Sequence, residues 1–243
     1  MAAAFALLVI GAPVYASNTD DRIESSARKS HVFRTYLKDD DIKIQSRDGA
    51  VTLTGFVSGE SHKSLAKETV AGLPGVKSVD DRLEIKDAPP AGSSDTWLKE
   101  KVRFTLLFHR SVSAANTEVD VTDGIVTLRG NATSQAQKEL TADYARDVDG
   151  VKDVRNEMTV SKTGTRTSRT TGEKVDDASI TAQVKMALLF HRSTSALHTT
   201  VTTKRGVVTV GGKARNADEK HLVGRLVRDI HGVRGVNDRM TIE

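Results

Sequence analysis

Val119-Asp120-Val121-Thr122-Asp123-Gly124-Ile125-Val126-Thr127-Leu128-Arg129-Gly130 is the stretch whose reading decides the fold. Two runs rich in β-branched residues, joined by Asp-Gly, are the strongest short-range signal for a β-hairpin with a type I′ turn. The pattern occurs twice more. Upstream it reads Ile42-Lys43-Ile44, Asp48-Gly49 and Val51-Thr52-Leu53-Thr54-Gly55, and downstream Val201-Thr202-Thr203, Arg205-Gly206 and Val207 to Gly212. Three hairpins mean three copies of one unit.

The copies stay in register beyond the hairpin. Ile23, Leu98 and Ile180 coincide, as do Phe33, Phe108 and Phe190 before it, and Leu65, Leu140 and Leu222 after it. Apolar residues at helical spacing precede and follow each hairpin, and a last apolar run closes each copy, giving α-β-β-α-β. In the first copy Asp20 and Asp21 suit the start of a helix that runs to about Leu37. Asp39-Asp40-Asp41 reads as a solvated turn and Ser58 as the cap of the second helix. Leu65, Ala66, Thr69, Val70 and Leu73 mark that helix's buried face. The final strand, through Val79 to Ile85, is expected to carry a turn or bulge near Asp80-Asp81. The fold class is therefore α+β, with three tandem small domains at 18–87, 95–161 and 175–243. A stiff linker at 88–94 contains Pro89-Pro90, and a flexible basic linker spans 162–174.

Residues Ala2 to Ile10 are apolar and are followed by Gly11-Ala12-Pro13 and Val14-Tyr15-Ala16. A short apolar core, a helix breaker and a small residue before Ser17 predict a cleaved secretory signal at 1–16, although no Lys or Arg precedes it. It is too short to span a bilayer, so no transmembrane segment is expected in the mature chain.

The formal charge of +4 is concentrated by Lys162, Arg166, Arg169 and Lys174, opposed by Glu173. The remainder is close to neutral, which argues against a nucleic-acid partner. The absence of cysteine removes disulfides, thiol catalysis and lipidated cysteine. No HExxH, P-loop, GxGxxG or Ser-His-Asp pattern is present, so no enzyme, cofactor or metal is expected. His109 and His191 follow Phe at helix ends and read as positive side chains near a helix C-terminus, beside Arg110 and Arg192. Gly49, Gly124, Gly206, Gly55, Gly130 and Gly212 are structural turn glycines: Gly124 supplies positive φ, and Gly130 allows close packing where the strand meets the next helix.

Trp97 is the only tryptophan. Stepping along the helix, Trp97, Lys101, Phe104 and Phe108 form a stripe beside the core face of Leu98, Val102, Thr105 and Leu106. Trp97 and Phe104 have no aromatic counterpart in the other copies. With Lys99, Lys101 and Arg103 they suit a bilayer interface, where the ring meets the headgroup level and the cations meet anionic lipid. Packing against another repeat fits the same residues.

The Asp-Gly hairpin ending in glycine, the run Gly150-Val151-Lys152-Asp153-Val154 and Asn156-x-Met158-x-Val160 together resemble the BON domain of bacterial secreted proteins. Gly75-Val76-Lys77-Ser78-Val79 with Asp81-x-Leu83-x-Ile85, and Gly232-Val233-Arg234-Gly235-Val236 with Asp238-x-Met240-x-Ile242, repeat the motif. The resemblance implies a mixed three-stranded sheet with two helices on one face in each domain. It also implies a periplasmic, non-enzymatic protein that associates with phospholipid and supports envelope integrity under osmotic stress. Two other readings stay open: a chaperone-like module taking extended segments of unfolded or outer-membrane proteins by strand addition, and a scaffold whose repeats pack only on one another.

Overall fold

The computed structural model describes residues 14–86, 94–112, 114–161, 174–194 and 199–243. Most of the expected signal segment and of both linkers lies outside the described residues. In the first repeat α1 (Val14–Lys29) and the short α2 (His31–Thr35) precede β1 (Asp41–Arg47), β2 (Ala50–Val57), α3 (Glu60–Ala71) and β3 (Ser78–Ile85). The second repeat holds α4 (Ser94–Phe108), β4 (Thr117–Thr122), β5 (Ile125–Ala132), α5 (Gln135–Arg146) and a last strand divided into β6 (Asp153–Asn156) and β7 (Thr159–Val160). The third holds α6 (Asp177–Phe190), β8 (Thr199–Lys204), β9 (Val207–Ala214), α7 (Ala217–Arg228) and β10 (Gly235–Ile242).

Each hairpin is antiparallel, and the closing strand returns parallel to the hairpin's second strand, so every sheet is mixed and three strands wide. The parallel return needs a crossover, which the helix after the hairpin supplies. At the turns both central residues have positive φ: 53° and 82° at Asp48-Gly49, 53° and 79° at Asp123-Gly124, and 52° and 77° at Arg205-Gly206. These are type I′ geometry, which matches the twist of the flanking strands.

A carboxylate one helix away locks each turn. Asp20 accepts from the Asp48 and Gly49 N–H groups, Asp95 from those of Asp123 and Gly124, and Asp177 from those of Arg205 and Gly206. Asp20 thus ties the helix to the hairpin instead of opening the helix, and α1 begins before it, at Val14.

Several local expectations are corrected. The first helix breaks at Ser30, whose hydroxyl accepts from Phe33 N–H and restarts the chain as α2. Ser58 does not cap α3, because its hydroxyl donates to Asp40. The α3 N-cap is Gly59, and Glu100 from the second repeat accepts from Ser61 N–H instead. Asp40 is no solvated turn residue: its side chain is 1% exposed and holds Ser58 and His62. Burial alone would raise its pKa, but the contacts from His62 and Ser58 win and lower it. Strand β3 pairs without interruption through Asp80 and Asp81, while the break falls in the second repeat, between β6 and β7. At Gly130 (φ 119°) a Cβ would lie 2.0 Å from the Asn116 carbonyl, so the close neighbour is the start of the partner strand and not the next helix.

The packing between repeats centres on α6. Of this helix Ala178 to Val184, Met186 to Leu188 and Phe190 are all buried. After Asp177 only Lys185 and Leu189, four residues apart on one face, reach solvent, and a helix buried on its other faces belongs largely inside a protein. From the first repeat, Asp176 and Ser179 accept from the N–H groups of His31 and Val32, and Glu68 pairs with Lys185 at 2.7 Å. The apolar cores of the first and third repeats are one continuous cluster, which also takes Phe104 and Phe108 from α4. The second repeat has a separate core built on Leu98, Val102, Leu106, Val126, Leu128 and Met158.

Candidate functional site

Structure divides the stripe on α4. Phe104, expected at a bilayer interface, is 4% exposed and packs against Tyr36, His62 and Phe108. That placement corrects the interfacial reading of Phe104: the ring fills a gap between the first and second repeats. Trp97 is half-buried and stands edge-on to Phe190 of the third repeat, with centroids 5.9 Å apart. Its remaining face lines a shallow cleft of about 320 Å³ with Leu98, Lys101, Gly150 and Lys152. Lys101 lies 5.9 Å over the indole and donates to the Asp149 carbonyl, and Lys99 pairs with Asp120 at 2.8 Å. Arg103 is exposed. Lys101, with its side chain 13% exposed, is taken up by Asp149, so the stripe presents part of an indole beside Lys99 and Arg103, without an aromatic wedge free to insert.

Charge resolved by repeat shows what the whole-chain count hides. Residues 14–86 carry twelve Lys and Arg against twelve Asp and Glu, and 94–161 carry nine against eleven. Residues 174–243 carry twelve against seven. Two exposed groups on the third repeat account for much of this excess. Arg225 and Arg228 share the outer face of α7 with His221, at spacings of three and four residues. Lys204 and Arg205 sit in the β8–β9 turn, and the aliphatic part of Arg234 lies over Gly206. Sequence reading missed this surface because summing the chain cancels the third repeat against the second.

The second feature missed is the joint between the second and third repeats. His109 and His191 are not solvated charges at helix ends, since their side chains are 2% and 7% exposed. Past α4, Arg110 N–H donates to the Asp229 carbonyl and His231 N–H to that of Phe108, both at 2.9 Å. Past α6, Arg192 N–H donates to the Asp147 carbonyl at 2.9 Å and Asp149 N–H to that of Phe190 at 2.7 Å. The two halves are equivalent, so the joint has the reciprocity of a two-fold interface within one chain.

Side chains differ between the halves. His109 stacks on Tyr144 with centroids 3.9 Å apart and faces Asp229 at 3.3 Å. Asp229 also accepts from Tyr144 at 2.7 Å and from Ser111. Burial works to raise the Asp229 pKa, and the His109, Ser111 and Tyr144 contacts overcome it, to about 2. The signal was present in the sequence: Leu-Leu-Phe-His-Arg-Ser occurs at Leu106 to Ser111 and again at Leu188 to Ser193, with Asp147 and Asp229 in matching places. The first repeat has Phe33-Arg34-Thr35 and Gly72 instead, and among the described residues it makes no such joint.

Among the described residues no group of His, Asp and Glu is arranged to hold a metal, and no helix is long and apolar enough to cross a membrane. The chain is 32% identical over 143 residues to "Osmotically-inducible protein Y" of Escherichia coli K12, covering 57% of this chain and 71% of that protein. It is 31% identical over 144 residues to "Outer membrane lipoprotein DolP" of Haemophilus influenzae, covering 56% and 74%. A "21 kDa hemolysin" of Actinobacillus pleuropneumoniae is 27% identical over 150 residues, covering 58% and 77%. The BON domain model matches three times, at residues 19–87, 94–162 and 176–243, and with the α-β-β-α-β repeats in place the chain belongs to the BON domain family.

Proposed function

We propose that this is a non-enzymatic protein of the bacterial envelope, exported to the periplasm, that binds anionic phospholipid surfaces peripherally under osmotic stress. The observation that carries the reading is the segregation of charge onto the third repeat, with exposed Arg225 and Arg228 on α7 and Lys204, Arg205 and Arg234 at the β8–β9 turn. Cations near a membrane surface contribute about 1 kcal/mol each against anionic lipid, and salt screens that attraction. Binding is reversible and at headgroup level, because the two special aromatic residues of α4 are largely taken up between repeats. A relative named as an outer-membrane lipoprotein and another named as osmotically inducible are consistent with this setting. Of the α4 candidates, Lys99 and Arg103 reach the surface beside the Trp97 edge, while Lys101 is taken up by Asp149.

Sedimentation with vesicles containing or lacking phosphatidylglycerol tests both surfaces. The wild-type chain should pellet only with the anionic vesicles and lose most binding between about 50 and 300 mM salt. Arg225→Glu with Arg228→Glu should weaken binding at least tenfold, whereas Trp97→Ala should bind nearly as well as wild type. The reverse pattern would return the contact to α4. A wild-type chain that stays in the supernatant at low salt would end the lipid reading in favour of client binding at the sheet edges.

A further inference from the structure

His191 is held in a protonation state that the joint depends on. Its Nδ1 accepts a hydrogen bond from Ser193 N–H at 3.1 Å, which places the ring proton on Nε2. Nε2 faces Asp147 at 3.7 Å, too far for a hydrogen bond, and has no partner among the described residues. A second proton can enter only at Nδ1, where it would turn an acceptor into a donor facing the Ser193 N–H. Phe190 and Arg192, the neighbours of His191, supply both backbone bonds of this half of the joint. The other half differs: His109 Nδ1 lies 3.3 Å from Asp229, whose side chain is 14% exposed, and among the described residues no backbone N–H is bonded to that nitrogen.

We propose that the joint between the second and third repeats is an acid-sensitive latch: protonation of His191 opens its half, parting Phe190 and Arg192 from the turn at Asp147 to Asp149, while the His109 half stays closed. The charged and titratable groups around His191 are Asp147 at the end of α5, His109 at the end of α4, and its own neighbour Arg192. Burial pushes the His191 imidazole below its ordinary value; Asp147 opposes this, and His109 and Arg192 add to it. The opened joint therefore binds the proton more readily than the closed one. Closure is at full strength above the ordinary histidine value, about 6.5, and weakens as pH falls below it.

Two amides report the opening and two serve as controls. In hydrogen exchange on the full chain, corrected for intrinsic rates, protection of the Asp149 and Arg192 amides should fall about tenfold from pH 7.5 to 5.5. The Arg110 and His231 amides, bonded in the His109 half, should fall less than about threefold, a small loss being allowed there because burial also pushes the His231 imidazole down. Trp97 emission should shift red over the same range as the indole leaves Phe190, with far-UV circular dichroism unchanged. His191→Gln should abolish the pH dependence. Unchanged protection, a loss of about threefold or more at all four amides together, or an unaltered transition in His191→Gln would each overturn the proposal. If His191→Gln does not fold at pH 7.5, NMR titration of the His191 ring in wild type decides: titration at or above the ordinary value refutes the latch.

Discussion

At the scale of single residues, the glycine ending each hairpin was recognisable by its place, but its neighbour was not. Gly130 was expected to make room for a helix, and it makes room for the Asn116 carbonyl at the start of the paired strand. Gly130→Ala forces both a positive φ and a clash with backbone that cannot move away. We expect a loss of about 2–4 kcal/mol in urea unfolding, with no change in slope. A loss under about 1 kcal/mol would mean that the strand start is free to shift. The carboxylates tying helix to hairpin stand at matched positions, Asp20, Asp95 and Asp177. Sequence reading gave Asp20 a local role because a helix start explains an aspartate without reference to anything distant. Contacts spanning nearly thirty residues are invisible to such local rules, even when three copies repeat them.

Among the elements, the hairpins and the α-β-β-α-β order were legible because short-range chemistry settles them: Asp-Gly or Arg-Gly turns, alternating β-branched runs, and helical spacing of Leu and Val. What α6 packs against was not. From Ala178 to Phe190 the only charged residue is Lys185, whereas the matching part of α4 carries Lys99, Glu100, Lys101 and Arg103. That contrast marks α6 as buried on most of its circumference, with Lys185 and Leu189 left outside, but the core face it shares with α4 conceals it. Phe190 is 2% exposed and meets Trp97 edge-on. Phe190→Ala should cost about 3–5 kcal/mol in denaturant unfolding. It should also shift Trp97 emission to the red in the folded state. Unaltered emission would show that the indole is not held by that ring.

On the scale of the whole molecule, sequence order and packing order differ. The first and third repeats share one apolar core, and the second, which lies between them in the chain, keeps its own. Cooperative units follow shared cores. Amides in β1 to β3 and in β8 to β10 should therefore exchange through openings of similar free energy, and those in β4 to β6 through a distinct one. Three separate opening energies, one per repeat, would contradict the shared core. The sequence shows three equivalent units because it records each repeat's own pattern. It does not record which repeats meet, since that depends on side chains such as Glu68, Ser179 and Lys185 that no repeat-wide motif contains.

The central place of α6 also bears on how the molecule comes into being. A chain is made from its N-terminus, and domains generally fold as they emerge. Here the helix that completes the first repeat's core, α6, follows the whole of the second repeat in the chain. Until Phe190 and its neighbours are synthesised, Leu65, Val70 and Phe104 lack part of their covering. The first repeat therefore cannot complete its core by itself, and its closure waits for the third.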